Sequence, residues 1–388
     1  MTRALAIFLL PLFLAACGGG SNPFEPDTTA ENDGETEDVD AEEPTTENSL
    51  FAFNLEQSLT LNDVEYDAEN DELVINNLPF DGPEGRYDRV GTIGQGNVYR
   101  SRRTATTGQI DHYAVFVSSE NMQGAAALGD WSDLGYGGAN VKRDSFALPP
   151  INNEDDGEYV YLGTYAGLRK KDDRTGIELV QGDSRLLLDV LDLDPDGNIQ
   201  GSIVGTVSNR SRRTVDGTPL ADLPDIVLKR VSFNNQTGTF TGGEAVTLDP
   251  SGDSEVDSGF FEGFIGGPDG GEMAANIVIE GPGEQQEVFF EEITWTHTET
   301  VEVPVGDTGL TVEEERTTSG SISGLNSDNR ESIENLVDQG RPVPQLAADR
   351  SGIPDGAEIE SEIDSVVITS DNRAREIGVT VNDVVETP

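Results

Sequence analysis

The chain has one cysteine, Cys17, and two histidines, His112 and His297, in 388 residues. A lone cysteine excludes a disulfide framework, and so few histidines leave little for a His-rich metal site. Bases are scarce as well: 24 Lys and Arg stand against 74 Asp and Glu, a formal net charge of −50. Without an excess of cations to hold a phosphate backbone, the chain is not a nucleic-acid binder, and charge does not draw it to an anionic membrane. Aromatics at 6% and hydrophobic residues at 35% are low. The 44 glycines exceed the usual share of roughly 7%. No stretch between residues 50 and 324 carries a convincing 3.6-residue apolar period, so helices are not expected there. Turns, short strands and an acidic tail remain.

Residues 1–17, MTRALAIFLLPLFLAAC, place one Arg before an apolar run over 4–14 and two small residues before the cysteine. This order reads as a secretory signal peptide, and the run falls short of the about 20 residues that span a bilayer. Leu14-Ala15-Ala16-Cys17 resembles the lipobox of bacterial lipoproteins. The resemblance implies removal of residues 1–16 and acylation of Cys17, and three acyl chains exceed the two signals that stable anchoring requires. Gly18, rather than Asp, follows the cysteine, which by the same resemblance implies the outer membrane; its periplasmic and extracellular faces both stay open. Residues 18–49 are rich in Asp and Glu and contain no Lys or Arg. Self-repulsion keeps such a segment extended, so 17–49 reads as a lipidated, disordered acidic tether.

From residue 50 the pattern is mostly period two, broken by Gly, Asp, Asn and Pro about every ten residues, as in antiparallel sandwiches and barrels. The clearest strands are 159–168, 177–192, 198–208, 226–233, 238–248, 259–266, 272–280 and 287–303. In the third, Ile199, Gly201, Ile203, Gly205 and Val207 share one face. Glycines alternating with branched residues suit a curved strand that a bulky side chain approaches closely. The expected fold is all-β: an up-and-down barrel of about eight antiparallel strands over 155–324, with a smaller, irregular β-rich N-terminal subdomain over 50–150. Residues 325–388 read as a C-terminal extension. Its short helix is capped by Asp328, presents Ile333, Leu336 and Val337, and ends at Gly340; the runs 359–369 and 377–385 read as a hairpin.

The run Gly263-Phe264-Ile265-Gly266-Gly267-Pro268-Asp269-Gly270-Gly271-Glu272-Met273-Ala274-Ala275 resembles a motif in the small barrels of transferrin-binding protein B and factor H binding protein type lipoproteins. There an aromatic-containing Gly-Pro turn leads to a Glu and a pair of small residues. This chain departs by an extra Gly before Pro268, by Gly270 in place of Ala, and by Ala274-Ala275 in place of two Gly. Residues 77–82 and 159–168 are similar to lipoproteins of marine alphaproteobacteria that carry the same barrel. The resemblance implies an envelope lipoprotein whose barrel is a scaffold with specificity in its loops. It supplies no ligand, because a shared fold does not transfer one.

Asp192-Leu193-Asp194-Pro195-Asp196-Gly197-Asn198-Ile199 matches the first eight positions of an EF-hand loop, making Asp192, Asp194 and Asp196 candidate calcium ligands. Position 12 is Ile203 instead of Glu, and strands flank the loop, so a plain hairpin turn is the preferred reading and no cofactor is expected. Gly182-Asp183-Ser184 and Gly94-Gln95-Gly96 lack the partners that an esterase block or a phosphate loop needs, and both read as turns. His297 lies on an apolar strand face, which suggests a hydrogen-bonded core residue. If the flanking strands pair, Glu313, Glu314 and Glu315 approach Glu299 and Glu302. The basic groups Arg100–Arg102–Arg103, Lys170–Lys171, Arg210–Arg212–Arg213 and Lys229–Arg230 either meet an anionic partner or pair internally, and internal pairing is preferred. No nucleophile, base and orienting residue occur together, so no enzyme is expected. The leading reading is a membrane-anchored binding module for a protein or small molecule; the alternative is a structural envelope lipoprotein without a specific ligand.

Overall fold

The computed structural model describes residues 45–386 apart from 47, 80, 82–84, 103–109, 132, 151–157, 194–198 and 251. Cys17, the leader and nearly all of the acidic tether lie outside the described residues. The first nine strands are β1 (Thr45–Thr46), β2 (Ser49–Ala52), β3 (Asp63–Asp67), β4 (Glu72–Asn76), β5 (Gly85–Ile93), β6 (Gly96–Ser101), β7 (His112–Ser118), β8 (Met122–Gly129) and β9 (Tyr136–Arg143). They form one sheet in the order β1-β2-β9-β8-β7-β6-β5-β4-β3. Its central strands are apolar on both faces. One face holds Leu73, Tyr87, Tyr99 and Phe116; the other holds Val115, Ala126, Leu128 and Val141.

The closed barrel follows: β10 (Glu158–Lys171), β11 (Glu178–Leu193), β12 (Ile199–Thr214), β13 (Ile226–Ser232), β14 (Thr239–Leu248), β15 (Glu255–Gly266), β16 (Glu272–Pro282) and, after a long excursion, β20 (Arg373–Glu386). Its inner face is lined by Tyr161, Tyr165, Leu186, Ile203, Val207, Phe240, Phe261 and Ile277, all of them buried. Glycines opposite these side chains make the room. A Cβ at Gly378 would collide with the Tyr165 ring, and one at Gly205 would meet Leu186. Arg185, Thr206 and Glu244 are exposed on the outside. A mostly apolar interior, and a polar outer surface wherever the N-terminal sheet does not cover it, invert the polarity of a transmembrane barrel, whose outer band is apolar.

The strand that closes the barrel is not the expected one. β17 (Gln285–Pro304) leaves the barrel and pairs with β18 (Thr311–Ser323) and β19 (Glu358–Thr369) in a separate three-stranded sheet of order β18-β17-β19. The barrel therefore does not occupy 155–324, and the run 377–385 is not a hairpin partner of 359–369. Instead β20 sits between β10 and β16, with Gly378 opposite both Gly167 and Ile277. Its outward Ile377, Val379 and Val381 enter the core shared with the N-terminal sheet. Its inward Glu376, Thr380 and Asn382 are buried in the lumen.

Within the excursion, α1 (Ser327–Asp338) packs Ile333 and Val337 on Val288 and Ile368 of the three-stranded sheet. The cap is Asn326, not Asp328: its side chain accepts from Asp328 N and Asn329 N, and Asn329 returns the bond. The helix ends in a Schellman motif, Gly340 N donating to Val337 O and Arg341 N to Leu336 O, with Gly340 at φ 65°.

Because β20 supplies two of the barrel's eight strand interfaces, truncation after Gly324 is expected to abolish cooperative folding. A sharp thermal transition with intact β circular dichroism in the truncated chain would show that the barrel closes without it.

Candidate functional site

Two regions gather charged or exposed side chains: the barrel rim where the excursion leaves and returns, and the three-stranded sheet it carries. At the rim, Arg169 and Lys171 end β10, Glu178 begins β11, Arg212 lies near the end of β12, and Glu284 follows β16. All five are largely withdrawn from solvent. Arg212 Nη1 donates to Glu178 and Glu284, at 2.8 Å each, and its Nη2 also reaches Glu284. Arg169 Nη1 lies 3.1 Å from Glu178, and Lys171 bonds Glu284.

Three cations share two carboxylates, and the balance comes from backbone. Lys171 Nζ lies 3.3 Å from Asp338 O, a carbonyl at the negative end of α1, and Arg169 donates to Gly283 O. Burial pushes the Glu178 carboxyl up, but Arg212, Arg169 and Lys171 outweigh it and hold it at about 2. Glu284 is likewise held below its usual range, burial being outweighed by Arg212, Arg169 and Lys171. Burial pulls Lys171 down despite both carboxylates. Deeper in the lumen, Arg210 Nη2 and Tyr165 Oη each bond Glu376 at 2.7 Å.

At the other end, the motif of 263–275 fastens the N-terminal sheet to the barrel. Pro268–Gly270 form a 3-10 turn, and Gly267 and Gly270 take the positive φ it demands. Tyr161 Oη donates to Gly270 O at 2.8 Å from inside. Glu272 accepts from the Ser119 hydroxyl, Asn121 N at 3.2 Å and Asn121 Nδ2, and so clasps the β7–β8 turn. Arg143 lies between the rings of Phe146 and Phe264 and donates to Ile265 O.

The described basic groups pair internally with acids, except Arg213, whose guanidinium donates to the backbone carbonyl of Thr92. Arg100 bonds Asp111; Arg102 bonds Asp88 and Glu72; Lys170 pairs with Asp130. Lys229 meets Glu244 and Glu255, and Arg230 meets Asp189. Lys229 and Arg230 stand on the outer wall, apart from the rim. Arg103, Asp194 and Asp196 lie outside the described residues; the backbone of Asp192 is the penultimate position of β11, opposite Gln200. Among the described residues no group of three His, Cys, Asp or Glu is placed to hold a metal ion. Ser184 points into the lumen and is buried. Gly94 N caps Gln181 Oε1 at 2.7 Å, which makes 94–96 a hairpin turn leaning on the barrel. His297 is half-buried opposite Thr318, so it is not a core residue; His112 is the buried one, 3.1 Å from Pro79 O.

The three-stranded sheet is mostly in water. Ile359, Ile363 and Val367 of β19 and Phe289 of β17 are exposed on one face, where Ile363 retains 56% of its surface. Trp295 lies across Gly320 on that face, and Ile293 beneath is fully buried. On the other face Glu292 stands opposite Glu362, and toward the tip Glu302 stands opposite Glu313. Glu299 is opposite Arg316. The tip bears Val305, Leu310 and Val312, all exposed. The isolated threonines and isoleucines of these strands gave the period-two signal; no local signal tells a projecting sheet from a barrel wall. No family model matches the chain, and no curated protein and no solved structure matches it.

Two outcomes follow from the rim. Arg212→Met leaves two buried carboxylates short of a partner and is expected to cost about 3 kcal/mol or more in chemical denaturation. Glu178 is depressed from an unfolded value of about 4.3, so its contribution is complete above that value. Stability should fall as pH drops from about 5 toward 2, by up to about 3 kcal/mol from this group, and the loss should be smaller in Glu178→Gln.

Proposed function

We propose that this chain is a lipid-anchored outer-membrane lipoprotein of the transferrin-binding protein B-like kind that serves as an interaction module. The anchor reading rests on Leu14-Ala15-Ala16-Cys17 and the apolar run before it. The water-facing exterior of the barrel suits a domain held beside a membrane by its lipid rather than one inserted in it. The closed barrel agrees with the fold that the resemblance implies.

The observation that carries the interaction reading is the excursion between β16 and β20. A chain that needed only a barrel could join those strands with a short turn, since Gly283 N already reaches Asn372 O at 2.6 Å. Instead it spends three long strands and a helix on a sheet that exposes Phe289, Ile359 and Ile363 to water. Exposed apolar patches rimmed by polar residues mark interaction sites. The lumen, lined by Tyr165, Phe240 and Phe261, is packed with side chains, which directs the reading toward an external macromolecular partner rather than a carried small molecule.

Cys17→Ser is expected to move the protein from the membrane to the soluble fraction on cell fractionation. Retention in the membrane would overturn the anchor. Protease added to intact cells then decides the face: loss of the folded domain without lysis puts it outside, and protection puts it in the periplasm.

A further inference from the structure

The outer edge of β19 sets an unusual pattern. Among the described residues β19 pairs with β17 on one side and with no strand on the other. It is a 12-residue strand paired from Thr369 to Glu358 without a register shift. Soluble proteins blunt such edges with prolines, bulges or short strands, because a row of unpaired N–H and C=O groups templates a further strand. None of those devices interrupts β19. Its only defence is charge: Glu358, Glu360, Glu362 and Asp364 project from one face, while Ile359, Ile363 and Val367 project from the other.

The face that carries these acids is uncompensated. Glu292 of β17 lies directly opposite Glu362, a like-charge pairing that disfavours the sheet, and none of Glu292, Glu358, Glu360 and Glu362 forms an ion pair among the described residues. A strand added along this edge would place alternate side chains on the two faces. Those on the acidic face would meet glutamates at strand spacing. Those on the other would cover Ile359, Ile363 and Val367. A second copy of this chain does not fit, since its edge brings the same acids.

We infer that β19 is an acceptor edge for a partner's extended segment in which basic and apolar residues alternate, bound by strand addition. The inference gives the interaction module its partner class and relies on that reading for its setting, but its test does not depend on anchoring or on cell location.

The full chain in nonionic detergent is titrated with a synthetic peptide as long as β19 that alternates Lys and Val. A peptide of the same composition with its lysines and valines in two separate blocks serves as control. Anisotropy reports affinity, and amide hydrogen exchange reports where the peptide lies. The alternating peptide is expected to bind at least about tenfold more tightly than the block peptide. It should slow exchange along Glu358–Thr369. Joint substitution Glu358→Lys, Glu360→Lys and Glu362→Lys should remove at least about tenfold of that affinity, and Ile363→Ser, which leaves the charge alone, should weaken it several-fold. All these positions are exposed, so none of the variants is expected to lower the thermal transition, and Glu362→Lys should raise it slightly by replacing the repulsion with Glu292 by an attraction. Equal affinity for the two peptides, an unaffected charge-reversal variant, absence of binding, or slowed exchange elsewhere with β19 unchanged would overturn the inference. Such a failure leaves the Cys17→Ser fractionation result standing, so the two readings fall separately.

Discussion

Five ionised side chains at one rim of the barrel hold the two ends of the excursion together. Arg169, Lys171 and Arg212 come from strands at the start of the barrel, whereas Glu284 lies on the segment that leaves it. The same segment is met by the returning chain, since Ser370 N donates to Glu284 O at 2.9 Å. Fixing Glu284 therefore fixes both where β17 departs and where β20 re-enters. Burying such charges is costly unless each finds partners, and here guanidinium forks, a helix C-terminus and backbone carbonyls complete the set. Exposed pairs such as Lys229 with Glu244 and Glu255 contribute little by comparison.

The opposite end depends on different chemistry. The glycine-rich turn lets the backbone fold tightly enough for Tyr161 to reach Gly270 O from within the lumen. Glu272 then points outward and binds the β7–β8 turn of the N-terminal sheet. Between these ends, one barrel wall made of β16, β20 and β10 is covered on both faces, by the lumen within and by the sheet without. The charged rim, the packed lumen and the doubly covered wall make the barrel a rigid base. Among the described residues the excursion's sheet keeps Phe289, Ile359 and Ile363 in water.

Much of the candidate site was legible in residues and some was not. Pairing of the basic groups followed from the excess of acids around them. The facing glutamates Glu302 and Glu313 were legible because 287–303 and the run after it alternate in the same period. Partition between wall and projection was not legible, because both use period-two strands of similar composition. β17 reads as a barrel strand for this reason. The run 377–385 reads as half of a hairpin, and its position in the barrel is not legible because Glu376, Thr380 and Asn382 form a polar face. They are wet only in sequence: inside the barrel Glu376 is satisfied by Arg210 and Tyr165, and Asn382 Nδ2 by Met273 O.

By itself the sequence determined the all-β class, the antiparallel order of seven barrel strands, and the helix that ends at Gly340. Each depends on neighbours a few residues apart, and a few residues are what periodicity and turn chemistry report. The tertiary structure alone decided which strand closes the barrel, which polar side chains go inside, and which sheet stands in water. Those outcomes rest on contacts between residues as distant as Arg210 and Glu376 or Asn121 and Glu272. An alternating strand carries no mark of whether its polar side will face solvent or a buried arginine; only the closed barrel, by bringing that arginine to it, settles the choice.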